Sequence, residues 1–121
     1  MREIFIRGRV GSGKKYDSEK RKWDEQTTSI LGYEPFQGTL NVGMSPKLNF
    51  KEVSRFKSVK PFKDFVAIQS IIENEIQAHC CYSIHRKAKQ VISTFYIISN
   101  VKIRDKLNLS DGDLITIKLL V

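Results

Sequence analysis

The segment Ile30-Leu-Gly-Tyr-Glu-Pro-Phe-Gln-Gly-Thr-Leu-Asn41 places two glycines, a proline and a Thr-x-Asn pair in one short stretch. Pro35 fixes its own φ and biases Glu34 away from helix, and Gly38 permits a sharp turn into an extended segment. In that segment Thr39 and Asn41 point to one side and Leu40 to the other. A hydroxyl and a carboxamide oxygen side by side are hard, neutral ligands suited to Mg²⁺ or to phosphate-bound Mg²⁺. The same residues also suit a plain turn followed by a half-buried strand with a polar face, and spacing alone favours this second reading.

Outward from this stretch the chain reads mostly as strand. Arg2–Val10 alternates Ile4 and Ile6 with polar neighbours and ends at glycines. Gln37–Met44 is extended, and Phe65–Glu73, Ile76–Ile84 and Val91–Ser99 are rich in Val, Ile, Phe and Tyr. Leu114–Val121 closes the chain as an alternating strand, and Asn74-Glu75 is the expected hairpin turn, without the preferred glycine. A helix is expected over Asp17–Leu31, capped by Asp17 or Ser18. Its stripe is Trp23, Thr27, Ile30 and Leu31, with Gly32 at the C′ position. A short helix over Lys102–Leu107, with Asn100 as N-cap, precedes the Asp111-Gly112-Asp113 turn. About six strands in this length predict a mainly β, small closed barrel with one or two short helices, because closure removes exposed edges.

Composition narrows the class. The 121 residues form one expected domain, 1–121, long enough for a core without staples. A content of 40% hydrophobic and 28% charged residues is that of an ordinary soluble protein. No apolar run approaches a membrane span and no apolar signal region opens the chain, so a cytoplasmic protein without a membrane partner is expected. Cys80 and Cys81 are adjacent and point to opposite faces of a strand, which argues against a disulfide between them; one buried and one partly exposed thiol are expected. With only His79 and His85 nearby, a zinc site would be incomplete. The net charge of +8 gathers in clusters, Lys47 to Lys63 above all, with Arg86, Lys87 and Lys89 and the Lys14 to Lys22 run beside it. Such an excess attracts nucleic acid, nucleoside triphosphates or acidic membranes, and equally serves as a solvated surface.

Gly8-Arg-Val-Gly-Ser-Gly13-Lys14-Lys15 nearly spells a P-loop, but Lys15 stands where a Mg²⁺-binding hydroxyl belongs, and an ammonium cannot ligate a cation. The chain also lacks the strand and helix alternation of a parallel α/β sheet, which excludes a P-loop fold. A glycine-bearing turn with two lysines can still hold phosphates through backbone N–H groups and ammoniums.

Ile30–Asn41 closely resembles the I-L-G-[FY]-E-P-[FY]-x-G-T-L-N signature of archaeal CTP-dependent riboflavin kinases. Val101-Lys-Ile-Arg-Asp-Lys-Leu-Asn-Leu-Ser-Asp-Gly-Asp113 is similar to that family's x-K-L-R-E-x-x-x-L-x-D-G-D segment, and Gly8–Gly13 resembles its opening strand and Ser-Gly turn. The three matches come in the family's order and span nearly the whole chain. The resemblance implies a six-stranded cradle-loop barrel of Greek-key type and a kinase that moves a phosphoryl group from CTP to riboflavin, giving FMN. It implies that Thr39 and Asn41 hold Mg²⁺ and serve catalysis. Gly13, Lys14 and Lys15 would cover the phosphates of CTP or CDP, and Val101, Lys102, Ile103 and Arg104 would contact the cytidine.

This sequence departs from the family pattern at several points. Lys14-Lys15-Tyr16 follows the Ser-Gly turn where the family is richer in glycine. Ala88 stands where the family has a flavin-contacting Thr, and Tyr96 where it has a flavin-contacting Glu. The acceptor is therefore riboflavin or a related small-molecule hydroxyl. A second reading, from a different class, is a non-catalytic nucleic-acid-binding barrel using the basic clusters. It ranks behind the kinase because DNA binding does not require the Thr39/Asn41 arrangement.

Overall fold

Period-2 alternation of apolar residues closes this chain on itself. The computed structural model describes residues 3–11, 25–36, 39–62, 64–84 and 91–121. Along these run β1 (Glu3–Val10), α1 (Glu25–Leu31), β2 (Leu40–Asn49), α2 (Phe50–Val53), β3 (Ser58–Phe62) and β4 (Phe65–Ile72). They continue with β5 (Ile76–Ser83), β6 (Val91–Ser99), α3 (Ile103–Lys106) and β7 (Leu114–Leu120). The strands pair antiparallel in the order β4-β5-β6-β2-β1-β7. Ser70–Ile72 of β4 pair with Ile117–Leu119 of β7 and close the ring of six. β3 pairs with the opening residues of β4, through Ser58 with Ile68 and Val59 with Ala67. The expected mainly β, six-stranded closed barrel is thus the observed one.

The lumen is filled. Val42, Ile68, Ile72, Phe95, Ile117 and Leu119 are fully buried and belong to one continuous cluster. Burying each such side chain contributes roughly 1.5–3 kcal/mol. β1 and β2 cross closely at Gly8, where a Cβ would overlap Val42 Cγ1 and come within 3.1 Å of Gly43 O. A second apolar layer lies outside the barrel, where Leu31 of α1 packs with Ala67, Cys81 and Ile98, flanked by Tyr33, Val59, Phe65 and Tyr96.

Several local expectations need correction. Both Cys80 and Cys81 are buried, because this outer layer covers the face on which Cys81 lies. Burial pushes the Cys80 thiol up to about 12 and raises Cys81 well above its ordinary value. The β4–β5 turn is centred one residue early, on Glu73 and Asn74 at φ 51° and 55°, and is closed by Glu75 N–H to Ile72 O at 3.0 Å. Two left-handed residues match the strand twist, and Asn accepts that conformation. β2 runs on to Asn49 through a register shift between Gly43 and Leu48, and α2 and β3 arise where the sequence showed only a basic run. Of the helix expected over Asp17–Leu31, residues 17–24 lie outside the described residues. Its end is as expected, with Gly32 at φ 83° donating to Thr28 O.

Candidate active site

Among the described residues the lumen is filled by core side chains, and the residues singled out in the sequence lie on the outer wall and at the strand ends. Leu40 and Val42 point inward from β2, which turns Asn41 outward. Asn41 is the direct cross-strand partner of Tyr96 on β6. Opposite residues of an antiparallel pair project to the same side, so these two share one face. Thr39, just before β2, donates its hydroxyl to Asn41 Oδ1 at 3.4 Å, in the open. Two neighbouring ligands of an octahedral Mg²⁺ at 2.0–2.1 Å sit about 2.9 Å apart, so a small side-chain rotation fits the pair to the ion. Among the described residues no three His, Cys, Asp or Glu side chains cluster in a way that could hold a metal.

The signature segment reaches this position as a strap over β6. Its Phe36 N–H donates to Ser99 O at 2.7 Å. The Tyr33 hydroxyl shares a 2.7 Å hydrogen bond with His79 Nδ1 and donates to Ile98 O at 3.3 Å. Burial lowers the His79 pKa, holding the ring neutral, and burial first, then the neighbouring thiols, raises that of Tyr33. This anchor was missed in the sequence because His79 drew attention only as a metal ligand.

On the far side of Asn41 the three family-like segments converge. The Gly11 N–H donates to Asn41 O at 2.8 Å, and the Gly11 carbonyl accepts from Arg104 Nη2 at 3.0 Å. Arg104 Nη1 in turn donates to Asp111 Oδ1 at 2.7 Å. The N-cap of α3 is Lys102, at φ −76° and ψ 99° with no side-chain cap, so Asn100 does not take that position. The Lys102 side chain is half exposed and lies 3.6 Å from Asp105, Ile103 is buried in the barrel core, and Val101 N–H donates to Ser99 Oγ at 3.4 Å. Tyr96 meets Phe65 edge-on at 6.0 Å and 75°. Gly13, Lys14, Lys15 and Ala88 lie outside the described residues. Thr39, Asn41, Tyr96 and, through Gly11, Arg104 therefore belong to one neighbourhood.

The architecture defines a class: small closed antiparallel barrels whose lumen is given over to core. The sequence profile of the CTP-dependent riboflavin kinase family, described as a domain of unknown function, DUF120, matches residues 6–119. A riboflavin kinase of Methanosphaera stadtmanae is 28% identical over 128 aligned positions, covering 96% of this chain and 98% of that protein. The chain belongs to the CTP-dependent riboflavin kinase family, and it is a kinase. Neither match supports the nucleic-acid-binding alternative. Among the described residues no helix is long and apolar enough to cross a membrane.

Proposed function

We propose that the protein transfers the terminal phosphoryl group of CTP to a hydroxyl of riboflavin, giving FMN and CDP. Beyond family membership, the observation that supports this most is the cross-strand pairing of Asn41 with Tyr96. It sets a residue suited to the metal-bound phosphates beside one suited to the acceptor ring, on one face.

Phosphoryl transfer needs positioned phosphates, charge neutralisation and an aligned acceptor more than covalent help from the protein. In this reading Thr39 and Asn41 would hold Mg²⁺, which when bound neutralises charge on the phosphates. Gly13, Lys14 and Lys15 would cover the phosphates. Because Ile103 is rooted in the core, the backbone of Val101–Arg104 offers a firm edge against which cytosine, lacking the size of a purine, is read. Tyr96, steadied by Phe65, would bear on the flavin ring, with Ala88 alongside. The acceptor oxygen forms the new P–O bond as the bridging P–O bond of CTP breaks, and the hydroxyl proton is released to solvent. Residues 1–121 would act as one barrel domain in the cytoplasm. Calorimetric titration with Mg²⁺ should show CTP or CDP favoured over ATP. Equal affinity for CTP and ATP would remove cytosine reading, and absence of nucleotide binding would refute the proposal.

A further inference from the structure

At the end of β1 the backbone polar groups of Val10 and Gly11 all find partners, as groups leaving a sheet must. Val10 N–H donates to Asp113 O at 2.8 Å, Val10 O accepts from Gly112 N–H at 2.7 Å, and Gly11 N–H donates to Asn41 O at 2.8 Å. The fourth group, the Gly11 carbonyl, is met by a side chain, the guanidinium of Arg104 at 3.0 Å. Asp111 fixes the other arm of that guanidinium at 2.7 Å. The Arg104 side chain is 29% exposed and Asp111 57%.

We propose that Arg104 and Asp111 act as a positioning pair that fixes the backbone at Gly11, on both sides of its Cα, and through it the Asn41 backbone in the geometry that binds metal-bound triphosphate. This rests on the nucleotide site proposed above and gives Arg104 a part in it other than touching cytidine. Two arms of the planar fork are already committed, one to a carbonyl and one to a carboxylate, a geometry that the single ammonium of Lys does not reproduce. A carboxylate near a triphosphate repels it; Asp111 is explained there as the group that aims Arg104. Had Arg104 been a phosphate ligand, that carboxylate would compete with the nucleotide for it.

The two roles predict opposite outcomes for Asp111→Ala. Parent, Asp111→Ala, Arg104→Met and the double variant are titrated with CTP in the presence of Mg²⁺. Amide exchange at Gly11 is followed by NMR in the same proteins, with Ile117 in the core as reference. The positioning role predicts that each single change weakens Mg²⁺-dependent CTP binding by about tenfold. It predicts that the double variant is no weaker than Arg104→Met, because the pair acts as a unit. Gly11 exchange should quicken by about tenfold while Ile117 is unchanged. An Asp111→Ala protein that binds CTP as tightly as the parent, or more tightly, overturns the inference, as does unaltered Gly11 exchange. If the parent itself binds no CTP, the functional reading fails, and Gly11 exchange still decides whether the pair holds this backbone.

Discussion

Asn41→Leu separates the chemistry of the site from the stability of the barrel. The side chain is half-buried, projects from the outer wall, and accepts a 3.4 Å hydrogen bond from the exposed Thr39 hydroxyl. Leucine keeps the same number of side-chain heavy atoms, the same branch point and the strand backbone, and the Thr39 hydroxyl it leaves is exposed, so no buried partner is stranded. A surface change of this kind alters stability by about 0.5 kcal/mol or less. At roughly 2.1 cal/mol/K per residue, the unfolding entropy of a chain this long is about 0.25 kcal/mol/K, so the Tm should move by only about 2 °C. The loss to catalysis is far larger. Removing one preorganised electrostatic contact in a transfer reaction costs about 10²–10³ in rate, or roughly 2.7–4 kcal/mol. Steady-state CDP release, with a thermal melt on the same sample, reads both quantities. An Asn41→Leu protein that melts like the parent and turns over CTP at the parental rate would refute the assignment of Asn41 to the metal-phosphate site.

Gly8→Ala should cost about 1–3 kcal/mol by overpacking, since the new methyl overlaps Val42 Cγ1 where β1 and β2 cross; denaturant unfolding measures it. The buried His79 binds a proton less readily than the unfolded chain does. Its contribution to stability is therefore full above the unfolded value of about 6.5 and declines as pH falls through that value toward the lower folded one. A Tm series from pH 8 to pH 5 should show that loss, and a His79→Gln protein should show less of it. Tyr96→Leu should raise the KM for riboflavin about tenfold, by removing the aromatic contact, while the affinity for CTP stays within about twofold.

The barrel was legible in the sequence because its middle strands are rich in β-branched and aromatic residues and its last strand alternates. The Val, Ile and Phe content of β4, β5 and β6 marks them as core strands, while in β1 the expected stripe is only partly realised, with Ile4 exposed, Ile6 half-buried and Val10 buried. β3 was not legible, since Ser58-Val-Lys-Pro-Phe62 offers little alternation and contains a proline, and it holds its place by pairing with β4 and lying beside α1. The burial of Cys81 depends on that same covering layer, a tertiary fact that no local pattern carries. At the site, the outward projection of Asn41 beside an inward Leu40 followed from strand geometry alone. Its pairing with Tyr96 did not, because register between strands so distant in sequence is set by the closed ring. The partnership of Arg104 with Asp111 spans the end of a four-residue helix and a left-handed Asn108 at φ 53°, and only the folded chain brings them together. Tyr33 and His79 likewise meet across the strap and β5, which their separate positions in the sequence do not announce.

The most direct test of the central claim is to incubate the protein with CTP, Mg²⁺ and riboflavin and to follow both products by chromatography. The resemblance sets Ala88 and Tyr96 where the family has Thr and Glu against the flavin, so riboflavin well above micromolar concentration belongs in the series. FMN and CDP should accumulate in equal amounts, dependent on both CTP and Mg²⁺. Absence of FMN at every riboflavin concentration, from protein that is folded and binds CTP, would contradict that claim.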